Sequence, residues 1–219
     1  MSKFKFELIG HDVELIARDE VTGEPVSCAE FVQETLDSCM VYPDNVLLEI
    51  NTDPVPLDEF VTHINQNKVD VEYFLNECGL KTVWGEAEAE YPQHELCNKQ
   101  AHAIGCQPFG NAYLLGVPLT PTTYNDNWRY AGGHVHLAYD KNLVPSHYLV
   151  KMLDEKFKKV QMKDHKNPRR DSFYGQMGAY REKSYGIEYR SLNNDWFNNP
   201  QWIIDGLLEI EAEINEVLK

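Results

Sequence analysis

The chain has 219 residues, of which 42% are hydrophobic, and a formal net charge of −15. One domain of this length buries roughly 70% of its unfolded surface, so residues 1–219 are read as a single domain with a substantial core. The acidic balance argues against general nucleic-acid binding and against anionic membrane surfaces. No apolar run approaches the length of a membrane span, and Met1-Ser2-Lys3-Phe4-Lys5-Phe6 lacks the features of a secretion signal, so cytoplasmic residence is expected. Cys28, Cys39, Cys78, Cys97 and Cys106 form an odd set with no CxxC, which points to a reducing compartment rather than a disulfide framework.

In chain order, Phe4 to Arg18 is expected as a long strand with a bulge at Gly10, closed into a hairpin with Val26 to Ala29 by Thr22-Gly23-Glu24-Pro25. Val46 to Asn51 forms the next strand. Asp53-Pro54-Val55-Pro56 ends it, and Leu57, Phe60, Val61, Ile64, Val71, Phe74 and Leu75 keep helical spacing up to Gly79. Lys81 to Trp84 starts a short strand. Residues 91 to 130 read as loop with a short helix near Leu96 to Ile104. Ala131 to Tyr139 is a strand, Pro145 opens a helix to about Lys163, and Asp164 to Phe173 is an exposed basic loop. Ile187 to Leu192 is the last strong strand, and Pro200 opens a C-terminal helix. This order predicts an α+β fold, with an antiparallel or mixed sheet covered by helices on one face.

The strands carry polar pairs at i and i+2, which share one face of an extended chain. Asp12 and Glu14 form one pair, His134 and His136 another, and Glu188 and Arg190 a third; Asn45, Glu49 and Asn51 share a face likewise. Gly132-Gly133 beside the histidines points to close approach of a ligand or of backbone. The bland reading, solvated acids and a satisfied histidine pair, stands beside a sharper one: the wall of a metal-filled cavity. Asp12, Glu14, Glu49 and Glu188 are hard donors suited to Mg²⁺ or Mn²⁺, and His134 adds a nitrogen. So many carboxylates in one place require two or more divalent ions. Arg190, Arg181, Arg170, Arg169 and Arg129 are then candidates for holding a transferring phosphoryl group or a substrate carboxylate. P-loop, Rossmann and GxSxG signatures are all missing. His94, Cys97, His102 and Cys106 lie close enough in sequence to fold round Zn²⁺ but match no standard finger spacing; buried thiols and surface imidazoles are the simpler reading.

The ordered set resembles the phage-type carboxylate–amine (COOH–NH2) ligases of the glutamine synthetase and glutamate–cysteine ligase superfamily. The matching stretches are Gly10-His11-Asp12-Val13-Glu14, Asp44-Asn45-Val46-Leu47-Leu48-Glu49-Ile50-Asn51, Gly105-Cys106-Gln107-Pro108, Arg129-Tyr130-Ala131-Gly132-Gly133-His134-Val135-His136, and Tyr185-Gly186-Ile187-Glu188-Tyr189-Arg190-Ser191-Leu192. The resemblance implies a single catalytic domain, with a curved, mostly antiparallel sheet like the glutamine synthetase core. It implies ATP as co-substrate and amide formation through an acyl phosphate. By position, Glu14 resembles the ligand of one metal. Asp12, His134 and Glu188 resemble ligands of a second, and Glu49 resembles the next strand's carboxylate ligand. Arg190 resembles the arginine that contacts phosphate, while His136 lies further out to orient substrate or phosphate. The resemblance does not fix which of Arg129, Arg169, Arg170 and Arg181 bind substrate and which the nucleotide, and Asp44 and Asp195 are candidate bases for the incoming ammonium. The partners implied are small-molecule or peptide carboxylates and amines, with a second subunit or the loops 91–130 and 164–184 closing the site. If the chain is phage-encoded, its setting is the host cytoplasm. A metal-dependent hydrolase and a non-catalytic nucleotide- or metal-binding protein remain as competing readings.

Overall fold

A computed structural model describes residues 3–102, 109–114, 126–164, 170 and 174–219. Strand β1 (Phe6–Leu15) lies in the middle of one eight-stranded sheet, antiparallel to β5 (Leu47–Asn51) on one side and to β10 (Gly133–Tyr139) on the other. Outside β5 come β4 (Met40–Asp44) and β3 (Glu34–Thr35). Outside β10 come β12 (Gly186–Tyr189), β11 (Ala179–Lys183) and β8 (Gly110–Asn111). Every neighbouring pair in this sheet is antiparallel. Two short ribbons accompany it, β2 (Ala17–Asp19) with β6 (Leu80–Thr82) and β7 (Glu88–Glu90) with β9 (Trp128–Tyr130).

Strand periodicity of two sorts the side chains between the two faces. Ile9, Val13, Leu48, Ile50, Val135, Leu137, Ile187 and Tyr189 enter the main hydrophobic core. Helix α1 (Phe60–Glu77) meets them with Phe60, Ile64, Val71 and Leu75. Helix α2 (Ser146–Leu153) adds Leu149, Val150 and Leu153. A π turn (Asp154–Lys158) leads from α2 into α3 (Lys159–Asp164). The C-terminal helix α4 (Gln201–Val217) contributes Ile203, Ile204, Leu207, Ile210 and Ile214. Each such aliphatic side chain stabilises the fold by roughly 1.5–3 kcal/mol, so the helices are fixed on this face and leave the other to polar groups. His11 belongs to the covered side. It packs edge-on to Phe60, Trp196 and Phe197, bonds Asn67 Oδ1 at 3.0 Å, and burial pushes its pKa down to about 4. It is a neutral core histidine.

The α+β class and the helices on one face agree with the sequence reading, and several local expectations change. The irregularity in β1 falls between Phe6 and Leu8, not at Gly10. The expected hairpin of the first strand with Val26 to Ala29 reduces to an Arg18–Pro25 bridge, because β2 pairs with β6 instead. Where a helix is expected near Leu96 to Ile104, the described residues form two 3-10 turns, Gln93–Leu96 and Lys99–His102, and residues 103–104 lie outside the described residues. The helix after Pro145 is interrupted by the π turn. Strands β4 and β11, unforeseen, extend the sheet on both sides of the polar pairs. Arg170, expected in an exposed basic loop, is fully buried. Among the described residues, no helix is long and apolar enough to cross a membrane.

Candidate functional site

Register brings the polar pairs into rows across the open face. Asp12 on β1 pairs with Asn51 on β5 and with His134 on β10. Glu14 pairs with Glu49, which in turn faces Tyr42 on β4. His136 pairs with Glu188 on β12, and Glu188 with Arg181 on β11. Arg190, just past β12, continues the pairing through its N–H to Ala179 O at 2.9 Å. The turn into β10 admits this packing only because it lacks side chains: an added Cβ at Gly132 would lie 2.7 Å from His134 Nε2, and one at Gly133 would lie 2.5 Å from Trp196 Nε1.

The result is two groups of ligand-type atoms. Oxygens of Glu14, Asp44 and Glu49 lie within 4.8 Å of one another, and so do atoms of Asp12, His136 and Glu188. In the first group, Glu14 Oε2 accepts from Gly132 N–H at 2.6 Å and Oε1 from the Tyr174 hydroxyl at 2.5 Å. Glu49 accepts from the Tyr42 hydroxyl. In the second group, Asp12 Oδ2 lies 2.7 Å from His136 Nε2, and Asp12 Oδ1 accepts from Asn51 Nδ2 at 2.8 Å. The other nitrogen of His136 lies 2.5 Å from the Tyr185 hydroxyl.

Charge is under stress here. Burial, reinforced by the Asp44 charge, pushes Glu14 up to about 7. Burial and the charges of Asp12 and Glu14 hold Glu49 well above the usual carboxylate range. Burial also raises Asp44, against the pull of Arg190. Carboxyl groups that resist ionisation together for want of countercharge, and that offer hard oxygens beside imidazole, are a donor set that fits Mg²⁺ or Mn²⁺. Glu188 behaves in the opposite way. Burial alone would raise it, yet the Arg190 guanidinium and its other cationic neighbours hold it below the ordinary range. It is bonded to Arg190, with Arg181 Nη1 at 3.0 Å and Lys183 Nζ at 2.8 Å.

The two histidines exchange the surroundings expected of them. His134 is buried; the Tyr174 hydroxyl lies 3.0 Å from its Nε2, and Arg190 Nη1 lies 3.4 Å from its Nδ1. Burial, helped by the Arg190 charge, holds its pKa well below the usual imidazole range, so it is neutral, with one nitrogen donating and the other accepting. His136, expected further out, is the imidazole grouped with Asp12 and Glu188.

Two cavities open on this face and share Asp12. One, of about 240 Å³, is lined by Asp12, Tyr42, Asp44, Glu49, His134, Arg181, Glu188 and Arg190. The other, of about 390 Å³, is more apolar, with Leu8, Pro54 and Ala138 beside Asn51, Asp53, His136 and Tyr185. Among the expected arginines, Arg181 and Arg190 reach the first cavity. Arg129 is buried with its guanidinium on the carbonyls of Asp126, Trp128 and Ala101. Arg170 bonds the carbonyls of Ala131 and Leu192. Neither Arg129 nor Arg170 lines either cavity. Asp195 is exposed on a 3-10 turn beside Asn198. Arg169, Cys106 and the Gly105–Pro108 stretch lie outside the described residues, as does the side chain of His102; of the zinc-like arrangement, His94 and Cys97 are described, and both are exposed. Sequence reasoning passed over Tyr42, Tyr174 and Lys183, and gave Tyr185 no role beyond its place in the Tyr185–Leu192 stretch. The one signal for Lys183 and Tyr185 was their position beside the Gly186–Arg190 motif.

Comparison with known proteins adds one finding. Residues 125–210 match the family model described as phage phiEco32-like COOH.NH2 ligase-type 2. No curated protein and no solved structure matches the chain. The matched stretch includes His134, His136, Arg181, Glu188 and Arg190. Residues 125–210, less than half of the chain, are thus similar to the phage-type carboxylate–amine ligase family that the ordered motifs resemble, and the match takes in the last two of those motifs.

Proposed function

We propose that the protein is an ATP-dependent carboxylate–amine ligase with a glutamine synthetase-like core, forming an amide through an acyl phosphate. The observation that carries this reading is the juxtaposition of crowded carboxylates with Arg181 and Arg190 in one cavity. A carboxylate cluster alone would suit metal-assisted hydrolysis as well; the guanidinium groups give an anionic phosphate or carboxylate a place to sit.

Two or more Mg²⁺ or Mn²⁺ ions, held by Asp12, Glu14, Glu49, Glu188 and a histidine, would neutralise the carboxylates and link them to phosphate oxygens. In the reaction, the γ-phosphoryl group of ATP passes to a substrate carboxylate and leaves ADP. An amine then attacks the acyl carbon, the C–O bond to phosphate breaks, and amide and phosphate are released. Arg190 and Arg181 orient the anionic groups and stabilise charge as it shifts between oxygens. Asp44, half-buried and with its carboxyl raised by burial, accepts the proton that an ammonium must lose before it attacks. The neighbouring, more apolar cavity takes the nucleoside, whose base is buried more readily there than among carboxylates. His136 lines this second cavity and meets Asp12, the residue both cavities share, and there it orients a phosphate or serves as a ligand.

Phosphate release from ATP, measured across panels of carboxylates and amines, tests the reading. Release that requires both partners supports it. Cleavage of an ester, amide or phosphoester without nucleotide would make the protein a hydrolase. Failure to bind either nucleotide or divalent cation would leave a non-catalytic protein.

A further inference from the structure

Tyr174 belongs to none of the expected ligand or substrate sets, yet its hydroxyl touches two of their members. It donates to Glu14 Oε1 at 2.5 Å and lies 3.0 Å from His134 Nε2. Glu14 and His134 sit on different strands, and the phenol joins them.

The approach of Tyr174 is built into the fold. Its N–H donates to Arg170 O at 2.8 Å, and the Arg170 guanidinium lies 5.5 Å from its ring. Arg170 is fully buried and bonds Ala131 O at 3.1 Å and Leu192 O at 3.5 Å. Ala131 leads into β10 and Leu192 follows β12, so Arg170 is tied to the ends of the two strands that carry His134 and Glu188. Gly132 leaves room for the phenol, since a Cβ there would stand 2.9 Å from its oxygen. With Gly132 N–H on Oε2 and Tyr174 on Oε1, both oxygens of Glu14 are held. Each carboxylate oxygen keeps a further lone pair, and rotation of the group is stopped.

We propose that Tyr174 is a positioning residue of this site, fixing the Glu14 carboxylate for a divalent cation, with Arg170 as the anchor that puts it there. The inference rests on the ligase reading of the site. Partners of this kind, hydrogen-bonded to metal ligands, are worth about 10–100-fold in metal affinity.

The test is Mn²⁺ binding to the whole protein, read from the electron paramagnetic resonance of the free ion, for wild type, Tyr174→Phe, Glu14→Ala and the double variant. Tyr174→Phe keeps the ring against Arg170 and removes only the hydroxyl; Tyr174→Met replaces it should the first variant fail to fold by circular dichroism. The expected result is about 10–100-fold weaker Mn²⁺ binding in Tyr174→Phe, with no further loss when the same change is made in the Glu14→Ala background. Unchanged affinity in Tyr174→Phe overturns the inference alone. So does an equal loss in both backgrounds, which would mark a general structural role. If the wild type binds no Mn²⁺, the ligase reading falls and takes the inference with it.

Discussion

Arg190 and Glu188 stand two residues apart on the same face of the sheet, and their side chains are bonded to each other across the floor of the acidic cavity. Glu188 is fully buried and stays ionised because Arg190, Arg181 and Lys183 surround it. Arg190 also meets the His134 ring. One guanidinium therefore serves a carboxylate, an imidazole and the open cavity together.

Replacing Arg190 by Gln should lower turnover by about 100-fold or more, because the lost group stabilises charge where it moves. The stability cost should be smaller than the roughly 3–5 kcal/mol seen when a buried pair loses its only partner, since Arg181 and Lys183 still face Glu188. A loss of about 1–3 kcal/mol is expected, measured by urea unfolding beside steady-state kinetics.

Glu14 sets a pH dependence of opposite sign to the usual carboxylate. Its folded pKa is about 7 against an ordinary 4.5. Between these values the folded chain keeps a proton that the unfolded chain has released, so the contribution is full below about pH 4.5 and declines as pH rises toward about 7. The difference approaches about 3 kcal/mol for this group. Glu49 acts in the same direction. Glu188, held low by its cations, adds stability above the ordinary carboxylate range that is lost only in stronger acid. Thermal melts in chelator should show stability falling from about pH 5 to about pH 7, and added Mn²⁺ should flatten that slope.

Gly133→Ala tests the packing behind the histidine strand. Its Cβ would crowd Trp196 Nε1, which donates to Gly133 O at 2.9 Å. Overpacking of this kind costs about 1–3 kcal/mol. The variant should unfold at lower urea concentration and bind Mn²⁺ more weakly, since His134 follows directly in the chain.

Asp12→Ala removes the acid shared by both cavities, together with the partner of His136 Nε2 and Asn51 Nδ2. Isothermal titration should register Mn²⁺ affinity at least about tenfold lower, and nucleotide binding lowered with it.

The period of two made much of this legible from sequence. It set Asp12 with Glu14, His134 with His136, and Glu188 with Arg190 on common faces before any register was known. What period cannot give is which strands lie side by side. Register pairs Asp12 with His134, yet the side chain that joins Asp12 and Glu188 is that of His136. Strand β4, Met40-Val41-Tyr42-Pro43-Asp44, carries a proline and no clean alternation, so Tyr42 went unnoticed. Strand β11, Ala179-Tyr180-Arg181-Glu182-Lys183, is too polar to announce itself, so Lys183 did too. Arg170 looked like a loop cation because nothing local shows that its partners are carbonyls 39 and 22 residues away. The π turn is equally silent, since Asp154 to Lys158 continues the helical spacing on either side.

The most direct measurement is anomalous diffraction at the manganese edge from crystals soaked with Mn²⁺ and a non-hydrolysable ATP analogue. Manganese peaks are expected among Asp12, Glu14, Glu49 and Glu188, with the triphosphate reaching Arg190. Peaks elsewhere on the surface, or a cavity between those four residues that stays without ion and phosphate at saturating concentrations, would contradict it.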